Sequence, residues 1–202
     1  MKERGMIFNG EMVRAILDGR KTQTRRPIKW KQTRFTEMAE RDDGSLWPWA
    51  EDCERGGDIW FACPFGEVGD RIWVRETWAE AGASAPDLKL YRANYPDHVP
   101  AHYENVPPAE EIRWTPSIHM PRWASRITLE ITAVHVERLN AISEEDAQAE
   151  GVQPACYEIT PPEAAYRVSF GEVWRSIYGE ESWAANPWVW VIKFKRVEEA
   201  SR

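Results

Sequence analysis

Two long stretches in which apolar side chains alternate constrain the fold of this chain more than any other feature. Residues 125–138 and 188–195 place apolar side chains at every second position: Ile127, Leu129 and Ile131 in the first, and Trp188, Trp190, Ile192 and Phe194 in the second. A period of two predicts β-strands that each bury one face. At Ala133-Val134 the alternation changes phase, which predicts a bulge or a bend in the first strand.

Three helices are expected around these strands. Asn9 is a good N-cap for a helix over residues 10–18, and Gly19 suits the position just after its end. Ser143 is followed by three acids and predicts a short second helix that stops at Gly151. The third helix is predicted from the spacing of its apolar residues and covers residues 162–178.

The remaining pattern completes an α+β prediction with a mostly antiparallel β core. Residues 71–78 alternate as a strand, with Ile72, Val74 and Glu76 on one face. Residues 31–63 are interpreted as an insertion that carries hairpins, and residues 81–113 as a surface insertion with little regular structure. The whole length, 1–202, is expected to form a single domain.

Charge is concentrated in one segment. The chain carries a net charge of −7, yet residues 20–34 hold seven basic side chains and no acid. A positive segment on an acidic chain favours a local anion site over a protein that coats nucleic acid nonspecifically. A solvated basic loop is the structural alternative.

Other compositional features point to a cytoplasmic protein without a cofactor. No apolar run approaches the roughly 18 residues needed to span a bilayer, and no secretory leader is recognisable. The cysteines at 53, 63 and 156 form a sparse, odd set that fits reduced thiols. With His98 and His102 they do not give a zinc-site spacing, and no glycine-rich phosphate loop is present, so we expect no metal or cofactor.

Tryptophan is the outlier in composition, with 12 residues. Trp47 and Trp49, which flank a proline, either line a recognition surface or pack loops that lack regular structure.

The order of these segments resembles the ASCH family, a small β-barrel related to the PUA RNA-binding fold. The resemblance is carried by the run Gly-Arg-Lys-Thr-Gln-Thr at 19–24, by residues 69–78 and 117–126, and by the closing Trp-Val-Ile-Lys-Phe at 190–194. It covers roughly 6–30, 64–80 and 115–197, and within the family the chain is similar to the larger, prophage-borne members. The resemblance implies a PUA-like mixed barrel with flanking helices.

The resemblance also implies a set of catalytic residues. The family's bacterial N4-acetylcytidine amidohydrolase has a Gly-Arg-Lys-Thr-x-Thr run whose catalytic lysine and threonine fall on Lys21 and Thr24. Its catalytic glutamate falls on Glu150, within Ala-Gln-Ala-Glu at 147–150. It therefore implies Thr24 as nucleophile, Lys21 as base and Glu150 as proton donor, all bordering one main cleft. The sequence departs from the pattern in the Arg-Arg-Pro after Thr24 and in the two insertions, which leaves the substrate open.

The residue types are compatible with this chemistry. A threonine hydroxyl needs a base, and a lysine acts as one only when burial or nearby cations favour its neutral form. In a regular strand Lys21 and Thr24 would face opposite ways, so a turn between them is required. Glu150 ends a helix, where the helix dipole opposes a negative charge, although an exposed side chain would feel little of this.

Further residues are candidates for contacts with the substrate or with nucleic acid. Arg25 and Arg26 are expected to form a cationic rim, joined by Arg20 and Thr22. Glu76 points either into the barrel pocket or toward an arginine in a salt bridge. Arg122 and Trp123 either stack a base and bind phosphate or belong to a packed loop.

Three functions remain open at this point. The first is hydrolysis of an acylated nucleobase or nucleoside; the second is non-catalytic binding of RNA or modified DNA; the third is a ribonuclease-like activity. The expected partner is a nucleoside or nucleic acid and not a membrane. The oligomeric state stays open, with a monomer as the default.

Overall fold

Ten strands and four helices make up the part of the chain that the computed structural model describes, which is residues 1–30, 37–52, 54, 56–83, 85–157 and 161–197. The strands are β1 (Glu3–Ile7), β2 (Gln23–Pro27), β3 (Glu37–Glu40), β4 (Leu46–Glu51), β5 (Asp58–Trp60), β6 (Arg71–Arg75), β7 (Trp78–Glu80), β8 (Lys89–Tyr91), β9 (Thr128–Arg138) and β10 (Trp188–Val197). The helices are α1 (Gly10–Leu17), α2 (Glu144–Ala149), α3 (Ala165–Tyr178) and α4 (Glu180–Ala184). The predicted α+β class is confirmed. Lys31, Arg34 and Cys53 lie outside the described residues.

The central sheet has five strands in the order β1-β6-β9-β10-β2. Only the β1–β6 pair is parallel, so the predicted mostly antiparallel arrangement is confirmed. The β9–β10 register shifts between Lys193 and Phe194, and Thr132 is the extra residue on β9. This is the bulge predicted from the phase change at the neighbouring Ala133. The two edge strands, β1 and β2, lie close to each other. The Arg26 guanidinium of β2 donates a hydrogen bond to the Ile7 carbonyl of β1 at 2.8 Å.

Both faces of β10 are buried, although its sequence predicted one. Trp190 and Ile192 face the main core, together with Leu129 of β9. Val189 and Val191 point the other way, into a second cluster formed with α2 and α3. The second face is buried because two helices cover it, which the strand's own sequence does not specify.

The helix predictions hold, with one addition. The Asn9 side chain caps α1 by accepting from the Met12 amide at 2.8 Å, and Ser143 caps α2 by accepting from the Asp146 amide at 3.0 Å. The third predicted helix begins with a 3₁₀ turn at Pro162–Ala164 and continues as α3. Helix α4 was not predicted. Within the described residues, no helix is both long and apolar enough to cross a membrane.

The two insertions differ in how much structure they hold. The first contains a three-stranded antiparallel sheet, β3-β4-β5, in agreement with the expected hairpins. Trp47 of this sheet packs edge-on against Trp190 with 5.0 Å between ring centroids, so the insertion adds to the core. The second was expected to hold little regular structure. That expectation was incomplete, because β7 and β8 form a hairpin at its start.

Candidate functional site

The basic segment, residues 20–34, follows α1 after a tight turn, and backbone hydrogen bonds hold its first residues to α1 and to the end of α2. The backbone amides of Arg20 and Lys21 both donate to the Ala15 carbonyl, at 2.8 and 3.0 Å. The Thr22 amide donates to the Ala149 carbonyl at the end of α2, at 2.9 Å. Strand β2 then begins at Gln23. The turn therefore lies before Lys21, and the described residues show no turn between Lys21 and Thr24.

Lys21 and Glu150, 129 residues apart, form a buried ion pair. The Lys21 ammonium donates to Glu150 Oε2 at 2.9 Å and to the Glu150 carbonyl at 2.8 Å. The exposed fractions of the two side chains are 0% and 4%. Burial lowers the pKa of Lys21; Glu150 opposes this, while Arg26 and Arg25 add to it. The neutral amine is therefore easier to reach here than in an exposed lysine.

Arg25 lies in the interior and not on a cationic rim, which corrects the prediction. Its side chain is fully buried and contacts three carboxylates: those of Glu137 at 2.7 Å, Glu150 at 3.0 Å and Asp146 at 3.3 Å. Local charge density suggested a rim, but these acids come from β9, α2 and the residue after α2. Arg25 thus ties β2 to both elements and is not available to an external phosphate.

Thr24 is 2% exposed and pairs with Ile192 in the β2–β10 ladder. Alternation along β2 places it on the same face as Arg26, whose guanidinium lies 5.5 Å from the Phe8 ring centre. The Lys21 Nζ lies 6.0 Å from the same ring centre. Arg25, which contacts the same Glu150 carboxylate as Lys21, points to the opposite face of β2. In the described part of the chain, no hydrogen bond is formed by the Thr24 hydroxyl.

A cleft of about 410 Å³ opens beside this pair, between α1, α3 and the segment after α2. Glu150 borders it, together with Arg20, Met12 and Phe170. Lys21 and Thr24 are not among its lining residues, so the expectation that all three catalytic candidates border the cleft is wrong. A second cavity of similar volume lies beside the first insertion, so the expectation of one main cleft is wrong as well.

The other members of the basic segment have separate roles. Arg20 donates to the Gly151 carbonyl at 2.8 Å and pairs with Asp18 at 3.0 Å. Arg26 is half-buried and, besides its bond to β1, donates to the Tyr178 hydroxyl at 3.4 Å. Thr22 is exposed. Of the predicted rim, Arg20 alone borders the cleft.

Glu76 is 1% exposed and forms a bidentate pair with Arg126, at 2.9 and 3.0 Å. Of the two alternatives for this residue, the structure favours the salt bridge. A smaller cavity of about 270 Å³ also touches Glu76, on the side of Arg14 and Arg92, and Lys21, Thr24 and Glu150 do not line it.

Arg122 and Trp123 lie at a distinct surface. Arg122 pairs with Glu3 at 2.9 Å. Trp123 is 61% exposed, its ring stands at 90° to that of Trp78, and the Lys89 ammonium lies 5.7 Å from its centre. An exposed indole beside a lysine can stack a base.

Sequence reasoning missed the acids that surround Arg25. Burial alone would raise the pKa of Glu137, but hydrogen bonds and charges from His135 and Arg25 outweigh it and leave that pKa lowered. Asp146 also accepts a bond at its carbonyl from the Gln23 amide group, at 2.8 Å. The only sequence signal was the acidic start of α2, which was interpreted as a helix cap alone.

No cluster of three or more potential metal ligands occurs in the described ranges of the chain. His98 accepts a hydrogen bond from the Tyr91 amide at 3.1 Å.

Comparisons with known proteins add one structural likeness. No family model and no curated protein sequence matches the chain. Among solved structures, the chain is similar to an ASCH domain from Lactobacillus crispatus JV V101, with 14% sequence identity and a TM-score of 0.41 over 96% of this chain and 79% of that one. A likeness at this level does not establish a family, so ASCH membership stays a proposal.

Proposed function

We propose that this chain is an ASCH-type, PUA-like hydrolase, a single domain over residues 1–202 that cleaves the amide of an acylated nucleobase or nucleoside resembling N4-acetylcytidine. The buried Lys21–Glu150 pair is the observation that carries the proposal. Thr24 lies in the strand that Lys21 enters, on the face toward Phe8. A lysine with a lowered pKa, a carboxyl partner and a threonine three residues along the chain are the residue types that acyl transfer requires.

One proton shift within the pair prepares both catalytic groups. Transfer of a proton from Lys21 Nζ to Glu150 Oε2, across the 2.9 Å contact, yields a neutral amine and a protonated carboxyl group. The amine can then accept the Thr24 hydroxyl proton while the Thr24 oxygen attacks the acyl carbon. The protonated carboxyl group can donate to the nitrogen as the C–N bond breaks. Water then hydrolyses the acyl-threonine ester and releases the carboxylic acid.

The cleft beside Glu150 suits the leaving nucleobase. Its volume of about 410 Å³ falls within the range typical of small-molecule sites, and its wall combines apolar and charged side chains. Phe170 and Met12 supply apolar surface, and Arg20 supplies a cation.

The test is hydrolysis of N4-acetylcytidine and other acylated nucleosides, followed by chromatography. Lys21→Met and Thr24→Val keep approximate volume, and each should abolish turnover with the cooperative unfolding transition retained. Their effects should not add, since a nucleophile and its base act as a unit. Thr22→Val is the matched control and should lose little. Full activity in Thr24→Val would refute the nucleophile, and activity lost only in Thr22→Val would move it to that residue.

A second candidate function, binding of RNA or modified DNA without chemistry, is favoured by the exposed Trp123 beside Lys89. If wild-type protein hydrolyses no acylated nucleoside but binds single-stranded RNA, and Trp123→Ala weakens that binding, the binding function replaces the enzyme. Such binding would also weaken as salt rises.

A further inference from the structure

The second large cavity lies between the first insertion and the start of the chain. It has a volume of about 410 Å³, and we call it the insertion pocket; its main lining residues are Lys2, Arg4, Arg41, Trp47, Trp60 and Cys63. It shares no lining residue with the cleft at Glu150. Any ligand bound there would therefore be independent of the proposed catalytic pair.

Arg41 is held in place by aromatic rings. Its guanidinium carbon lies 4.0 Å from the Trp47 ring centre and 5.1 Å from that of Trp60. Within the described residues, the guanidinium has no hydrogen-bond or ion-pair partner. A guanidinium stacked on rings keeps its N–H donors for acceptors in its own plane, and carboxylate or phosphate fits those donors best.

Among the described residues no acid forms an ion pair with Arg41, although Asp42, Asp43 and Asp58 line a neighbouring cavity together with it. The Asp43 carboxylate accepts from the Ser45 amide and hydroxyl. Asp58 accepts from the Trp49 indole at 2.8 Å. The position of Arg41 is thus fixed by the two indoles, while its hydrogen-bonding capacity remains open.

The charges that line the pocket leave an excess of cations. The Arg4 guanidinium forms an ion pair with the Asp70 carboxylate at 3.0 Å, and the same carboxylate accepts a hydrogen bond from the Lys2 backbone amide at 2.6 Å. The remaining charged residues that line the pocket are Lys2, Arg41 and the exposed Glu67. A net positive pocket on a chain of charge −7 selects for an anion.

The pocket also has apolar walls. Trp47 and Trp60 form one side, and Val134 and the buried Cys63 contribute further apolar surface. Burial raises the pKa of the Cys63 thiol to about 11, so Cys63 is a neutral wall residue. Trp47 is 9% exposed and is covered by Arg41 and Trp190, so the half-buried Trp60 is the indole left for a planar base joined to a phosphate. Stacking on an aromatic side chain contributes about 1–3 kcal/mol per base.

We propose that the insertion pocket binds a nucleoside monophosphate. The phosphate lies against Arg41 and Lys2, and the base packs along the tryptophan wall. The inference does not depend on the hydrolase proposal, because it rests on residues of the insertion and of β1.

The test is calorimetric titration of the full chain with the common ribonucleoside 5′-monophosphates, with cytidine and with inorganic phosphate. We expect saturable binding of at least one monophosphate, and at least tenfold weaker binding of cytidine and of phosphate. Arg41→Gln should weaken monophosphate binding at least tenfold. Lys2→Gln should weaken it too, and this variant near the chain start does not disturb the core. Arg113→Gln, an exposed arginine outside the pocket, is the matched control and should bind like wild type.

Two comparisons keep this proposal separate from the first. Binding should persist in Thr24→Val, and hydrolysis, where present, should persist in Arg41→Gln. No saturable monophosphate binding, binding unchanged by both Arg41→Gln and Lys2→Gln, or binding lost in Thr24→Val would overturn the insertion pocket as a ligand site. Equal affinity for inorganic phosphate would overturn the nucleotide as its ligand class.

Discussion

Replacing Glu150 with glutamine removes the carboxylate that two buried cations share. Arg25 keeps Glu137 and Asp146 after this change, but Lys21 keeps only the Glu150 backbone carbonyl. Removal of one partner from a buried ion pair typically destabilises a protein by about 3–5 kcal/mol, because the other charge stays buried and uncompensated. We therefore expect Glu150→Gln to lower the free energy of unfolding by an amount in that range.

The chain offers a matched control at the surface. Lys195 and Glu130 also form an ion pair with an N–O distance of 2.9 Å, but 62% of the lysine side chain and 32% of the glutamate side chain are exposed. Exposed pairs contribute about 0–1 kcal/mol. Glu130→Gln should therefore lower the free energy of unfolding by at most about 1 kcal/mol. Because the two pairs have the same N–O distance, a larger loss in Glu150→Gln than in Glu130→Gln would be due to burial.

A second substitution shows where the cost of Glu150→Gln comes from. Lys21→Met removes the buried charge itself and leaves Glu150 paired with Arg25 at 3.0 Å. Its own effect should be about 1 kcal/mol or less, and the double variant should be more stable than Glu150→Gln alone. Urea unfolding followed by tryptophan fluorescence gives all four values, provided the slope with denaturant is unchanged.

The same pair gives a pH dependence with a defined sign. In Glu150→Gln the group that raises the pKa of Lys21 is gone, so that pKa falls further below the ordinary 10.5. The unfolded chain then binds the proton more readily than the folded chain, and stability is lost as pH falls. The cost of Glu150→Gln should shrink between pH 7 and pH 10. A cost equal to that of Glu130→Gln, or no rescue by Lys21→Met, would refute an uncompensated buried charge.

Two further predictions concern the same region. The rate of hydrolysis should fall as pH rises through an apparent pKa below 10.5, because burial lowers the pKa of Lys21 and the reactive form keeps one proton shared between Lys21 and Glu150. Loss of that proton leaves none for the leaving nitrogen, so a rate that keeps rising over that range would contradict this mechanism. Gly151→Ala should destabilise by more than Gly69→Ala, measured by urea unfolding. Both glycines have φ near +87°, but a Cβ at Gly151 would lie 2.7 Å from the Lys21 Cβ, whereas at Gly69 it meets nothing within 4 Å. The strain common to both is about 1–3 kcal/mol, and equal losses would show that the contact with Lys21 relaxes freely.

The features predicted correctly from the sequence are local ones. The Asn9 cap, the start of α2 at Ser143 and the bulge next to Ala133 each depend on a few neighbouring residues whose types specify a backbone geometry. The second buried face of β10 depends on α2 and α3 and is absent from the strand's own pattern. Helix α4 is only five residues long, too short for a reliable apolar period.

The site was predictable to a smaller extent, because its contacts join distant residues. Arg25 contacts Glu137, Asp146 and Glu150, which are 112, 121 and 125 residues away in the sequence. The spacing of charged residues along the sequence does not predict these partners. The meeting of Lys21 with Glu150 followed from the family resemblance alone. Charge density correctly marked the segment as unusual, but it could not separate a rim open to solvent from a buried network.

The two cations on Glu150 differ in what they can do. Arg25 contacts three carboxylates, and these contacts are sufficient to hold β2 against β9 and α2. Lys21 adds a second buried charge at the Glu150 carboxylate. Burying that charge has a high desolvation cost, and Arg25 already joins the same elements without it. A lysine can surrender its proton, and at this position burial and two arginines favour that loss. Arg25 therefore accounts for the architecture, and the titratable amine beside Glu150 is the reason for proposing proton transfer at Lys21.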